Sequence, residues 1–296
     1  KISALLLSCF MACIALTGCM GNGQTGKVGV LRIEGFEGGN GGTYVQALAD
    51  AYRKYNPGVE IEPIAVVEGV GNLKKYYSYD CPFSILPCSF NSEKFHIDTA
   101  QMIALRETMH LKERIVLCYL GGLQNWQCVE ETLDIFLRLK KKDDRYFLCI
   151  YTNDDLTPFA KKIELLGNDC LCMSLRYEQV PLYLSIIDAG FVLRHNSLVN
   201  INASPTKIAE YMAVGAMVIA TKYSGDAKVL VEDSGYGMIL DEIENISSEM
   251  IDELNLKIHS YKENKENASA TIKNYIFKSR LWHANEIKLK SLYSNI

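Results

Sequence analysis

Lys207 and Glu210 lie three residues apart near the start of a predicted helix, where their side chains could bind two parts of one ligand. They belong to the run ASPTKIAEYMAVGAMVIAT, residues 203–221. A helix N-terminus carries about half a positive charge and unpaired N–H donors, so it suits a phosphate group. Lys207 would add a full charge there, and Glu210 could accept hydrogen bonds from hydroxyl groups. The alternative is a surface ion pair worth about 0.2–0.5 kcal/mol, and the spacing alone leaves both open.

The same run predicts a helix followed by a buried strand. Ser204 is a good N-cap residue, and Pro205 would occupy the first helical position, where its missing N–H costs nothing. Gly215 ends the helix, and the apolar residues 217–220 are typical of a strand in a parallel sheet. Three apolar residues recur at helical spacing and predict its buried face: Ile208, Tyr211 and Met212.

Strand and helix patterns alternate from Arg114 onward, and a long helical tail follows them. The strand-like runs are RIVLCYLG, YFLCIYT, CLCMSL, AGFVLR and YGMIL, with helical patterns between them. Alternation at these lengths favours βαβ units and an α/β fold, a doubly wound parallel sheet.

Ligands bind such sheets at the carboxyl ends of the strands, so functional residues should directly follow strands. Gly121-Gly122 follows the first of these strands, and glycine lets a ligand approach the backbone closely. Arg194 ends the AGFVLR strand, and a guanidinium there suits a diphosphate. The alternatives are a tight strand-to-helix turn for the glycines and a solvated strand end for Arg194. The convergence of these residues with 204–210 on one sheet edge favours a binding site.

Composition indicates a globular protein of one large or two ordinary domains. The chain has 296 residues, of which 48% are hydrophobic and 22% are charged. A net charge of −4 gives no electrostatic reason to expect nucleic acid as a partner. The basic stretch 257–290 also contains glutamates, and it is more typical of a solvated helical tail than of a binding patch.

Cysteine usage predicts a protein kept in a reducing compartment. Seven cysteines follow Cys19, an odd number, and none forms a C-x-x-C motif. Cys118, Cys149 and Cys172 fall in apolar strand-like runs, where we expect buried thiols that act as small hydrophobic groups. No histidine cluster suggests a metal site, so we expect no metal cofactor.

The N-terminal residues predict a different location. Lys1, a short apolar run and Leu-Thr-Gly-Cys predict a secretory signal over 1–19, although an ordinary apolar helix is the alternative. Leu-Thr-Gly-Cys resembles a bacterial lipobox, which implies lipidation and membrane anchoring at Cys19. Residues 20–65 predict a β-α-β segment, with strands at 27–33 and 59–66 and a helix at 43–55. This start, and KYNPGVEIEPI above all, resembles extracellular solute-binding lipoproteins of sugar ABC transporters.

Residues from about 66 to 296 resemble the linker and C-terminal half of a family 4 glycosyltransferase, which has the two-lobed GT-B architecture. The matching stretches are SILPCSFNSEKF, VLCYLGGLQNWQ, EQVPLYLSIIDAGFVLR and ASPTKIAEYMAVGAMVIAT followed by SGD. The resemblance implies a Rossmann-like domain that binds a nucleotide-sugar donor without a metal. Lys207 and Arg194 would face the diphosphate, Gly121-Gly122 would approach it, and Glu210 would accept hydrogen bonds from the ribose.

Ser204 and Thr206 complete the binding residues that the resemblance implies. One departure is Asn202, which stands where many family members have a glutamate that holds the donor sugar. The arginine and lysine usual near the glycine loop are also absent, as is the family's acceptor-binding lobe. The sequence pattern changes near residue 65, and a gene fusion, an error of sequence assembly or a domain swap would each explain this junction.

Three functions remain open on the sequence. The first is a glycosyltransferase, or its donor-binding half, acting on an unknown glycan or lipid-linked acceptor in cell-surface polysaccharide synthesis. The second is a lipid-anchored solute-binding protein, and the third is an inactive nucleotide-binding fusion. The transferase function predicts a cytoplasmic location or the cytoplasmic membrane face, whereas residues 1–19 predict a cell-envelope lipoprotein.

Overall fold

A computed structural model describes residues 87–281 together with three short strands nearer the N-terminus. The chain divides into two units, one of Lys1–Cys88 with Trp282–Ile296 and one of Ser89–Leu281. The helix predicted at 43–55 and Cys19 lie outside the described residues. The domain division predicted from the sequence, 1–19, 20–65 and 66–296, stays a prediction.

The described strands of the first unit form one three-stranded sheet. They are β1 (Leu16–Gly18), β2 (Leu31–Phe36) and β3 (Ile61–Val66). β2 pairs in parallel with β3, and β1 pairs antiparallel with β2. β2 and β3 overlap the strands predicted at 27–33 and 59–66, and the residues between them lie outside those described.

The second unit contains a six-stranded parallel sheet, which confirms the predicted α/β fold. Its strands are β4 (Ile115–Leu120), β5 (Tyr146–Tyr151), β6 (Cys170–Met173), β7 (Ala189–Val192), β8 (Met217–Thr221) and β9 (Gly237–Leu240). The order across the sheet is β6-β5-β4-β7-β8-β9. The chain therefore adds strands outward from β4 on one side and then outward from β7 on the other, as in a doubly wound fold.

Nine α-helices are described in this unit, and they pack in two groups. They are α1 (Thr99–Thr108), α2 (Val129–Lys140), α3 (Ala160–Leu166), α4 (Val180–Ser185), α5 (Leu198–Ile201), α6 (Thr206–Ala213), α7 (Ala227–Ser234), α8 (Ser248–Glu263) and α9 (Lys265–Ser279). α2 contacts α3 and α8, whereas α6 contacts α4 and α9. Within the described residues, no helix has both the length and the apolar character that crossing a membrane requires.

The core of the sheet consists of strands that are buried along their whole length. Every residue of β7 and of β8 is buried, because helices cover both sheet faces. β6 is not buried along its whole length. It lies at one edge of the sheet, and Cys172 on it is exposed. The prediction that Cys172 is a buried thiol was therefore wrong, whereas Cys118 and Cys149 are buried as expected.

The junction between β4 and β7 is the place where this fold offers a binding site. Neighbouring parallel strands whose connections leave in opposite directions open a crevice at their carboxyl ends. Gly121-Gly122 follows β4 directly, and Arg194 lies two residues beyond Val192, the end of β7. The connection that follows β7 leads into α6, which carries Lys207 and Glu210.

Candidate functional site

Tyr211 fixes α6 against the end of β4. Its ring is fully buried and lies where a side chain on Gly190 of β7 would have to be, at 2.3 Å from a built Cβ. Its hydroxyl accepts a hydrogen bond from the Leu120 backbone N–H at 2.9 Å. A side chain in the middle of α6 therefore holds this helix at the strand junction, and its first turn lies near the loop after β4.

The start of α6 differs by one residue from the sequence prediction. Pro205 is the N-cap residue, with φ −63° and ψ 117°, and the helix begins at Thr206. Ser204 is therefore not the N-cap. Ser204 is buried, and its hydroxyl accepts a hydrogen bond from Arg280 Nη1 at 3.1 Å. Because Arg280 also pairs with Asp226 at 2.7 Å, the end of α9 supports the segment before α6.

The Lys207 ammonium reaches the loop after β4. Its Nζ donates a hydrogen bond to Gln127 Oε1 at 2.9 Å and lies 5.2 Å from the centre of the Tyr119 ring. A Cβ on Gly121 would come within 2.8 Å of the same nitrogen. The lysine and the glycine loop, which the sequence separates widely, are thus in direct proximity.

Glycine is required at position 121 on two grounds. Its φ is +138°, which residues with a side chain rarely adopt, and a Cβ there would collide with Lys207. The Tyr119 hydroxyl donates to the Gly122 carbonyl and holds the following turn. The conformation of Gly121 therefore serves the turn after β4, whereas the close approach of a ligand to this backbone stays a prediction.

Arg194 is buried rather than solvated. Its side chain is folded back, with Nη1 donating to the Leu193 carbonyl at 2.8 Å. Burial lowers the pKa of its guanidinium, and the neighbouring Tyr119 and Cys128 act in the opposite direction. Arg194 and Lys207 both act electrostatically on the Cys128 thiol, so both cations lie in the neighbourhood of this residue.

Glu210 lies one turn after Lys207 on α6 and is partly buried. Burial raises the pKa of its carboxyl from 4.5 to about 7, although Lys207 lowers it. At neutral pH a carboxyl group with this pKa is protonated in a large fraction of the molecules, so it can donate a hydrogen bond to a ligand as well as accept one.

Glu210→Gln should change how stability depends on pH. With a folded-state pKa raised from 4.5 to about 7, Glu210 holds a proton that the unfolded chain has lost, so its contribution to stability disappears as pH rises through this window. We expect urea unfolding to show that the variant gains stability relative to wild type between about pH 5 and about pH 8. Glu253→Gln, on the exposed side of α8, is the control. If the free energies of unfolding of the variant and wild type differ by the same amount at both pH values, the raised pKa is contradicted.

A second group of side chains, which the sequence analysis did not identify, lies beside these cations. Cys128, Glu131 and His195 place one Sγ, one carboxylate oxygen and one ring nitrogen within 4.8 Å of one another. His195 Nε2 is 3.2 Å from Glu131 Oε1. Burial, followed by Glu131, raises the pKa of the Cys128 thiol to about 12. His195 directly follows Arg194 and is far in sequence from Cys128 and Glu131. The cluster is therefore evident only in the folded structure.

The predicted binding residues thus occupy one edge of the sheet. Lys207 and Gly121 are adjacent, Glu210 lies within electrostatic reach of Lys207, and the charge of Arg194 acts on Tyr119. Thr206 forms the first residue of α6. Gln127 and Tyr119 are contacts of Lys207 that the sequence analysis missed, because neither belongs to a recognisable motif.

Solved structures of glycosyltransferases have the same fold. WaaG, a glycosyltransferase involved in lipopolysaccharide biosynthesis, superposes with a TM-score of 0.60 at 16% identity over 84% of this chain and 69% of its own. HepE of Anabaena, solved in complex with UDP-glucose, gives 0.53 at 17% identity, over 70% of this chain and 56% of its own. This chain therefore spans between about half and two thirds of their lengths.

The C-terminal domain of LpcC, a glycosyl transferase group 1 family protein from Francisella tularensis, is matched over nearly its whole length. The match covers 99% of that domain and 65% of this chain, at 13% identity and a TM-score of 0.51. At such identities, these likenesses show the fold alone. No curated protein matches this chain.

The sequence itself matches one family model, that of glycosyl transferases group 1, over residues 104–276. The matched region covers more than half of the chain and runs from α1 into α9, so it includes the sheet, the loop after β4 and α6. On this match, the chain belongs to the glycosyl transferases group 1 family.

Proposed function

We propose that this chain is the donor-binding half of a glycosyltransferase and that it binds the diphosphate of a nucleotide sugar at the carboxyl ends of β4 and β7. The observation that carries the proposal is the position of the Lys207 ammonium, in the first turn of α6 and next to Gly121. A cation at the start of a helix and a loop of two glycines together suit a phosphate group.

Charge explains how these residues would assist sugar transfer. As the bond between the sugar and the diphosphate breaks, negative charge develops on the departing nucleotide. A preorganised cation stabilises that charge more in the transition state than in the ground state. Lys207 is placed for this role, and Arg194 adds a positive potential from within the protein. Glu210 would accept hydrogen bonds from the ribose hydroxyls.

A uridine nucleotide is the donor class we propose, because HepE was solved with UDP-glucose. The acceptor we propose is a glycan or a lipid-linked sugar of the cell surface, in keeping with the role of WaaG in lipopolysaccharide biosynthesis. Since the chain spans only part of the length of these enzymes, sugar transfer is itself part of the proposal. Lipidation at Cys19 would hold the protein at a membrane.

A thermal-shift screen of the full chain tests donor binding. We expect UDP, and UDP-glucose, to raise the melting temperature, because a ligand that binds only the folded state stabilises it by mass action. Glucose, galactose and maltose should cause no shift. A shift with these sugars and none with nucleotides would instead support a solute-binding protein. No shift with UDP, GDP or ADP would contradict the proposal.

A further inference from the structure

We propose that Cys128, Glu131 and His195 form a zinc-binding site that joins the loop after β4 to the loop after β7. The three ligand atoms lie within 4.8 Å of one another and come from two parts of the chain, the start of α2 and the loop after β7. Thiolate, imidazole and carboxylate are the ligand types that zinc takes in proteins. The presence of sulfur disfavours magnesium and calcium, which prefer oxygen ligands.

The distances require only small side-chain movements. In tetrahedral zinc sites with these ligand types, the ligand atoms lie about 3.3–3.8 Å apart. His195 Nε2 and Glu131 Oε1 are already 3.2 Å apart. The Cys128 sulfur must therefore approach this pair by about 1 Å, which a change of side-chain rotamer can provide.

The backbone of Cys128 is a second observation that points to this site. Cys128 has φ 52° and ψ 48°, a left-handed conformation that is uncommon for residues other than glycine. Among the described residues, His110 is the other non-glycine residue with a positive φ. Strained conformations of this kind collect at functional sites, where the surrounding structure enforces them. Here the conformation places a thiol at the N-cap of α2, beside His195.

A groove next to the cluster would admit the ion and offer a further carboxylate. It has a volume of about 300 Å³ and is lined by Glu131, Asp134 and Glu244 among others. Glu244 Oε1 lies 3.9 Å from His195 Nδ1, the ring nitrogen that faces away from Glu131. A carboxylate at the second nitrogen fixes the orientation of a zinc-bound histidine in many sites.

Two nearby cations oppose a metal ion here. Lys207 and Arg194 both act electrostatically on the Cys128 thiol. Negative charge is also present: Glu131 lies at Nε2 of His195 and Glu244 lies at Nδ1. A bound thiolate would supply a third negative charge. Lys207 donates a hydrogen bond to Gln127 and Arg194 donates one to the Leu193 carbonyl, so each cation has an acceptor outside the cluster.

Zinc titration of the full chain tests the site, in a background that lacks a competing thiol pair. Cys170 and Cys172 have sulfur atoms 3.8 Å apart and would also bind thiophilic ions, so both are first changed to serine. In this background we expect Cys128→Ser and His195→Gln to weaken zinc binding by at least about tenfold in calorimetry. Comparison within one background removes the contribution of all other cysteines. The control Glu253→Gln should bind zinc normally, unlike Glu131→Gln.

Cobalt provides a readout that a merely structural effect would not change. Cobalt(II) bound through a thiolate shows an intense sulfur-to-metal absorption band. We expect this band in the Cys170→Ser/Cys172→Ser chain and its loss after Cys128→Ser. The proposal is overturned if Cys128→Ser leaves both the zinc affinity and the cobalt spectrum unchanged. It is also overturned if the background chain shows no cobalt band.

Discussion

Replacing Asp188 with asparagine should lower the free energy of unfolding by about 3–5 kcal/mol, the cost of breaking a buried ion pair from one side. The carboxylate is fully buried directly before β7 and accepts the Val116 N–H at 2.8 Å. Lys262 contacts it at 2.8 Å, Lys265 at 2.5 Å, and Arg106 lies 3.7 Å away. Asparagine keeps the shape, but it leaves three cations without their common counter-charge.

Urea unfolding of the variant and of Asp252→Asn measures this effect. Asp252 pairs with Lys142 at 2.6 Å, but both side chains are exposed, so we expect its loss to cost less than about 1 kcal/mol. If Asp188→Asn does not accumulate as folded protein, Lys262→Met removes one of the three cations and should have a smaller effect in the same direction. Equal urea midpoints for Asp188→Asn and wild type would contradict this account.

The same cluster predicts a loss of stability in acid. Burial by itself would raise the pKa of Asp188, but Lys265, Lys262 and Arg106 together lower it below 3.8. A carboxylate with a lowered pKa stabilises the fold above the unfolded value, and this contribution is lost as pH falls through the folded pKa. Wild-type stability should therefore fall more steeply in acid than that of Asp188→Asn. Glu210 acts in the opposite direction, because its pKa is raised.

The sheet could be predicted from the sequence because buried parallel strands are apolar along their whole length. The strand part of AGFVLR has no polar residue, MVIAT has only Thr221 at its end, and both strands are buried throughout. In the sequence, glycines and the helical periodicity of the flanking segments indicate where these strands end. The carboxyl ends of parallel strands lie at the same edge of a sheet. Gly121, Arg194 and Lys207 could therefore be placed near one another from the sequence.

Other features depend on contacts that no local pattern encodes. Cys172 lies in an apolar run like that of Cys149, and its exposure follows from the position of β6 at the edge of the sheet. The start of α6 lies one residue beyond the predicted position. Cys128 and His195 meet because β4 and β7 are neighbours, which no motif in either segment reveals.

Replacing Lys207 with alanine is expected to weaken UDP binding by about 1.5–3 kcal/mol, the range for a hydrogen bond to a charged group. This corresponds to a roughly 10- to 140-fold higher Kd in calorimetry. Lys207→Met keeps the aliphatic stem against Tyr119 and removes the charge together with the hydrogen bond to Gln127, so it should lose as much affinity as alanine. Lys228→Ala, in an exposed pair with Glu232 on α7, is the matched control and should bind normally.

Salt dependence separates a direct charge contact from an indirect effect on the fold. If the Lys207 ammonium faces the diphosphate, increasing salt should weaken UDP binding to wild type more than to Lys207→Met, because screening acts on the charge that the variant lacks. Thermal unfolding without ligand should differ little between these two proteins, since methionine retains the packing. If Lys207→Met binds UDP as tightly as wild type does, the start of α6 is not part of the UDP-binding site. Equal salt slopes with weakened binding would instead mean that Lys207 acts by holding the Gly121 loop, through Gln127, and not by meeting the phosphate.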